Sequence, residues 1–156
     1  MTGWDWLSRG AFLLYTGQLA WEDRRSGTFR FGTILSGTLC GLLLRTACLL
    51  RSGQAPAEML KGILFALLPG AGLILIGKIT RGAVGLGDGL CFMSFGFWWE
   101  GEQVFSLLFL SLCLLGCTGL FLICFRNGKR DLKLPFGPFI LAGGVLETAL
   151  GLLMWS

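Results

Sequence analysis

The sequence predicts an all-α, polytopic membrane protein: six transmembrane helices in one domain spanning residues 1–156. Three observations carry that prediction. Hydrophobic residues make up 54% of the chain and charged residues only 14%, where a soluble domain carries roughly 25% charge, and the mean hydropathy is +0.72. Several apolar runs approach the ~20 residues that cross a bilayer as a helix. The runs are long and do not alternate, and in lipid the backbone is satisfied only in helices or a closed barrel, so helices are preferred.

The first span runs from about Trp4 or Gly10 to Trp21, with Trp4, Trp6 and Trp21 suited to the two interfaces. A polar segment from Glu22 to Arg30 leads to a second span, about Thr33 to Leu50, which contains Arg45. After the connection from Arg51 to Pro56, a third span covers about Glu58 to Ile76, and Pro69 with Gly70 and Gly72 predicts a kink in it. A glycine-rich hinge, Arg81-Gly82-Ala83-Val84-Gly85-Leu86-Gly87-Asp88-Gly89, precedes a short fourth span ending at Trp99. Asp88 to Glu100 covers only roughly 15–18 Å of helix, too little for a full crossing unless the turn after it is buried in protein. The fifth span runs from about Val104 to Phe125, and the basic loop Arg126 to Lys133 separates it from the sixth. Pro135 and Pro138 open that last helix, where missing amide donors cost little, and it ends near Trp155.

The basic residues set the orientation. The connections after spans one, three and five carry Arg24, Arg25, Arg30, Lys78, Arg81, Arg126, Lys129, Arg130 and Lys133, whereas the opposite side holds Arg9, Arg51 and Lys61. The positive-inside rule then predicts a plasma (inner) membrane protein with those three connections in the cytoplasm and both termini outside. The same distribution accounts for the net charge of +4 without a nucleic-acid partner, because the cations are neither aromatic-interleaved nor gathered on one soluble face. The amino-terminal run, lacking a basic n-region, reads as a retained span rather than a secretory signal.

There is no histidine, which removes Ser-His and Cys-His nucleophile pairs and every His-bearing zinc site. The six cysteines, Cys40, Cys48, Cys91, Cys113, Cys117 and Cys124, all sit in apolar surroundings and read as small packing residues. No metal site and no cofactor are expected.

Two carboxylates remain. Asp23 ends span one and Asp88 opens span four, so the parity of the crossings puts both at the cytoplasmic face. Two carboxyls about 3 Å apart share one proton. The ionised one can take a proton from a water between them while the other donates to a scissile carbonyl, which is the equipment of an aspartic peptidase. Gly85, Gly87 and Gly89 would leave bare backbone beside Asp88, open to unusual torsions and to main-chain pairing with an extended peptide. The plainer alternatives are a glycine-rich turn with Asp88 as a helix cap, and Asp23 as a solvated ion-pair cluster with Glu22, Arg24 and Arg25.

Gly85-Leu86-Gly87-Asp88 resembles the GxGD signature of intramembrane aspartic proteases. The whole chain is similar to the type IV prepilin peptidases and their archaeal preflagellin relatives in three features. These are Asp23-Arg24-Arg25 after span one, GxGD after span three, and Leu134-Pro135-Phe136-Gly137-Pro138-Phe139 opening the last helix. The resemblance implies a six-helix peptidase whose catalytic Asp23 and Asp88 face the cytoplasm. Its substrates would be pilin-like precursors, cleaved between a short basic leader and the hydrophobic helix that follows. Gly89 and Leu90 follow the GxGD where many members have a residue and then lysine, and Ser26-Gly27-Thr28-Phe29 stands where many have Ile-Pro-Asn. Nothing matches the cysteine-bearing extension of the bifunctional members, so the resemblance implies the short, protease-only form without N-methyltransferase activity. The rival reading is a non-catalytic membrane assembly factor on the same fold.

Two further charges fall inside spans. Arg45 and Glu147 lie at similar depth, ~17 Å from the cytoplasmic end at 1.5 Å per residue. Unpaired charge there is expensive, which predicts that they pair or share a polar network. Lys61, near the outer end of span three, is expected to snorkel outward.

Overall fold

The computed structural model describes residues 3–52, 55–81, 85–126 and 135–153. Gly53 and Gln54, hinge residues Gly82, Ala83 and Val84, the loop 127–134 with Lys129, Arg130 and Lys133, and Trp155 lie outside the described residues. Among the described residues all regular structure is helical: α1 (Gly3–Ser26), α2 (Phe31–Ser52), α3 (Pro56–Ile79), α4 (Leu86–Phe95), α5 (Gly101–Arg126) and α6 (Gly137–Leu153).

Each boundary has a local cause. Helix α1 stops at Gly27, whose φ of +64° is the left-handed conformation of a helix C-cap and whose amide donates to the Asp23 carbonyl at 2.8 Å. Pro56 starts α3, where its missing amide costs nothing. That helix runs unbroken through Pro69 to Ile79. Helix α5 opens with Glu100 as cap: its carbonyl accepts the Val104 amide, and its own amide donates to the Gln103 side chain at 3.3 Å.

Among the described residues three helices are long and apolar enough to cross a membrane: Phe31–Cys48, Ala57–Ile79 and Gly101–Phe125. Ile34, Ile63, Leu73, Val104 and Leu107 of these spans are buried, but many of their large apolar side chains point outward, Leu43 at 69% and Phe109 at 68% exposure among them, which is compatible with a lipid environment. The fourth helix differs from the expected span. It has ten residues and ends at Phe95, not Trp99, and ~15 Å of helix crosses half a bilayer at most.

Instead α4 is the core. Gly89, Cys91, Phe92, Ser94 and Phe95 are buried, and α2, α3 and α5 all pack on it. A helix that is apolar on every side belongs inside other protein. Phe12 of α1 lies edge-on to Phe95 with centroids 5.3 Å apart, and Tyr15 stacks on Trp98 at 5.7 Å. Against α3 the approach is backbone to backbone: a Cβ on Gly70 would sit 2.7 Å from the Gly89 carbonyl oxygen, so two glycines set this helix separation.

The charge inside α2 serves the same packing. Arg45 does not pair with Glu147. Its Nη1 donates to the carbonyls of Gly96 (3.0 Å) and Trp99 (2.8 Å) in the turn that ends α4. That turn leaves C-terminal carbonyls without helical partners, and the guanidinium caps them. Glu147 accepts instead from the Ser106 hydroxyl of α5 at 2.6 Å. Equal depth does not decide partnership when each group has a nearer one of its own. Lys61, exposed near the start of α3, reaches back toward that end and pairs with Glu58 at 2.8 Å.

Candidate active site

The end of α1, the starts of α2, α4 and α6, and the turn between α1 and α2 come together at one end of the bundle. Asp23 is buried, at 7% exposure, while Arg24 and Arg25 beside it are exposed. It forms no ion pair among the described residues, so it is not part of an ion-pair cluster. Its Oδ2 accepts the backbone amide of Gly137, at the first position of α6, at 2.6 Å. A helix start offers unpaired amides and a partial positive charge, so a carboxylate from another helix is a natural partner there. Only glycine fits at 137, since a Cβ would lie 2.9 Å from both the Ala20 Cα and the Asp23 Cβ.

Asp88 stands at the third position of α4, whose N-cap is Gly85. Its amide donates to the Gly85 carbonyl at 3.1 Å, and its carboxylate lies beside the Gly85 backbone. Gly85 is extended, with φ −66° and ψ 133°, and Gly87 and Gly89 are helical. What the missing side chains give is proximity: a Cβ on Gly87 would lie 3.3 Å from the Phe29 ring, and one on Gly89 would collide with Ile74. Phe29 comes from the α1–α2 turn, so that contact brings the segment following Asp23 onto the GxGD loop.

The third motif closes the arrangement. Phe136, the residue before Gly137, stacks on Phe92 of α4 with centroids 6.1 Å apart. The three sequence motifs therefore meet through Asp23–Gly137, Phe29–Gly87 and Phe136–Phe92.

The two carboxylates sense each other. Asp88 lies outside the three spans, and its carboxyl pKa is pushed up from 3.8 to about 6. Burial is the largest cause and the negative charge of Asp23 the second, with a backbone hydrogen bond from Gly85 pulling the other way. The two carboxylates sit in unequal surroundings: Asp23 accepts the Gly137 amide, whereas Asp88 is shifted by burial and by the charge of Asp23.

Behind the pair, the Tyr15 hydroxyl and Ser94 Oγ lie 2.9 Å apart, and Ser94 donates to the Cys91 carbonyl at 2.7 Å. This buried link joins α1 to α4 and was not anticipated. The available signal was that Tyr15 is the only tyrosine of the chain, in the middle of an apolar helix. Among the described residues no group of three or more Cys, Asp or Glu side chains could hold a metal ion. Comparison with protein-family models, curated proteins and solved structures finds no match to this chain.

Proposed function

We propose that this chain is a membrane-embedded aspartic endopeptidase that removes basic leader peptides from type IV prepilin-like precursors, with Asp23 and Asp88 as its catalytic pair. The observation that carries the reading is the coupling of the two carboxylates at one end of the bundle. The charge of Asp23 and burial together keep Asp88 ready to hold a proton near neutral pH. The resemblance of the three motifs to the prepilin and preflagellin peptidases supplies the substrate class.

In the resting pair one proton is shared. The ionised carboxylate takes a proton from a water, whose oxygen adds to the scissile carbonyl carbon. The protonated carboxyl gives its proton to the carbonyl oxygen. The ionised carboxylate then takes a hydroxyl proton from the gem-diol as it collapses, the C–N bond breaks, and the protonated carboxyl gives its proton to the departing amine, which restores the shared state. The apparent pKa values belong to the pair. The six helices form one membrane domain with the pair toward the cytoplasm, a reading supported by the basic residues Arg24, Arg25, Lys78 and Arg81 at the ends of the first and third helices.

The test is processing of a pilin-like precursor co-expressed in membranes with wild type, Asp23→Asn or Asp88→Asn. Wild type cleaves, and each variant inserts but leaves the precursor whole. Cleavage surviving in one variant removes that residue from the mechanism. A second reading, an assembly factor without catalysis, is favoured by the capping contacts: Asp23 sits at the start of α6 and Asp88 at the start of α4. It predicts an uncleaved precursor with wild type as well.

A further inference from the structure

On the exposed face of α1, turned away from the buried Asp23, lies a cavity of about 690 Å³ lined by Gln18, Trp21, Glu22, Arg25, Ser26 and Arg30. We propose that this cavity holds the phosphodiester headgroup of an anionic phospholipid from the surrounding bilayer. The proposal does not depend on the peptidase reading, since none of these residues belongs to the carboxylate pair.

Charge is the first argument. Arg25 and Arg30 are exposed, and among the described residues neither takes part in an ion pair. The carboxylate in the lining does not neutralise them, because Glu22 is already engaged through both oxygens. Its Oε1 accepts the Thr33 hydroxyl at 2.6 Å and its Oε2 the Arg30 backbone amide at 3.2 Å, tying α1 to the start of α2. The Ser26 hydroxyl is likewise turned to the backbone carbonyls of Glu22 and Thr28. The donors left for an outside anion are the two guanidinium groups and the Gln18 amide, and a guanidinium fork matches the oxygens of a phosphate.

Position is the second. Arg30 immediately precedes the apolar span Phe31–Cys48, which is the height at which headgroups lie. Trp21, 68% exposed, is the residue type that settles at that boundary. Leu14, Gln18, Trp21 and Arg25 follow helical spacing and share one face of α1. Leu14 is 79% exposed one turn further along that face, an apolar side chain beside the cavity against which an acyl chain can lie. A free phosphate uses neither the indole nor that leucine, and the lipid uses both.

The experiment is native mass spectrometry of the full chain in detergent, titrated with phosphatidylglycerol, phosphatidylcholine or inorganic phosphate. We expect one saturable phosphatidylglycerol site, with phosphatidylcholine much weaker. The double variant Arg25→Gln/Arg30→Gln should weaken it about thirtyfold, from about fivefold per cation near a membrane surface. Lys78→Gln, which removes an exposed cation that is not among the lining residues, should leave it unchanged. Gln18→Glu puts an acid into the cavity at an exposed position, keeps both arginines, and should also weaken binding if the double variant does not fold. Three results overturn the proposal: phosphatidylglycerol binding unaltered by the lining variants, an equal loss with Lys78→Gln, or displacement by inorganic phosphate at comparable concentration.

Discussion

Asp23 is assigned two tasks that one pair of substitutions separates. Its Oδ2 accepts the Gly137 amide at 2.6 Å in a buried site, and its charge raises the proton affinity of Asp88. Asparagine keeps a side-chain oxygen that can accept from Gly137 but cannot ionise, whereas alanine removes both. Asp23→Ala leaves the Gly137 amide buried and unpaired, which costs about 1–3 kcal/mol, and also forfeits a capping contact at the start of α6. Asp23→Asn loses charge assistance alone, roughly half the strength of such a bond, and should cost about 1 kcal/mol. Chemical or thermal unfolding in detergent should therefore rank the proteins wild type, Asp23→Asn, Asp23→Ala. Precursor cleavage should be lost in both variants to the same background. If Asp23→Ala is as stable as wild type, the contact to α6 contributes nothing. If Asp23→Asn still cleaves, the hydrolytic role is gone while the capping role stands.

Two other expectations follow from the geometry. The pKa of Asp88, about 6 in the fold against 3.8 as its reference, means that the folded protein binds the proton more tightly. Its stabilising contribution is fully present below pH 3.8 and is lost as pH rises through about 6; unfolding followed across pH 4–7 should show that slope in wild type and not in Asp88→Asn. Arg45→Gln should destabilise the fold by about 2–4 kcal/mol, since it gives up two hydrogen bonds from a charged donor inside a span. Glu147→Gln keeps an acceptor for Ser106 and should cost about 1 kcal/mol or less. Rescue of Glu147→Gln by Arg45→Gln would restore the direct pairing that the separate contacts of Arg45 and Glu147 contradict.

The helices were legible in the sequence because apolar runs and their breakers act locally. Gly27, Pro56 and the glycines before Asp88 mark ends that the backbone obeys for its own reasons. The meeting of Asp23 with the GxGD segment was legible too, through the parity of the crossings. Partner choice was not. Arg45 and Glu147 have matching depth and opposite sign, yet rotation about each helix axis decides which neighbour a side chain meets, and hydropathy does not encode rotation. The same limit hid the contact between Asp23 and Gly137, although both residues had been singled out. The status of α4 was half visible: its length ruled out a full crossing, but only the packing of Phe12, Tyr15, Trp98 and Trp99 around it shows a buried post.

That post bears on how the site works. A carboxylate at a helix start is ordinarily favoured in its ionised form, and both aspartates stand at one, Asp88 at its own helix and Asp23 at α6. Two ionised carboxylates would be unable to donate a proton to anything. The balance is tipped at Asp88 by burial first and by the charge of Asp23 second, and together they outweigh the Gly85 hydrogen bond. Asp23 meanwhile accepts the Gly137 amide in a buried site. Burial of Asp88 in turn depends on α4 being held tightly against α3 through Gly70 and Gly89, with its far end capped by Arg45. Arg45, at the opposite end of α4 from Asp88, thereby belongs to the same structural unit as that carboxylate.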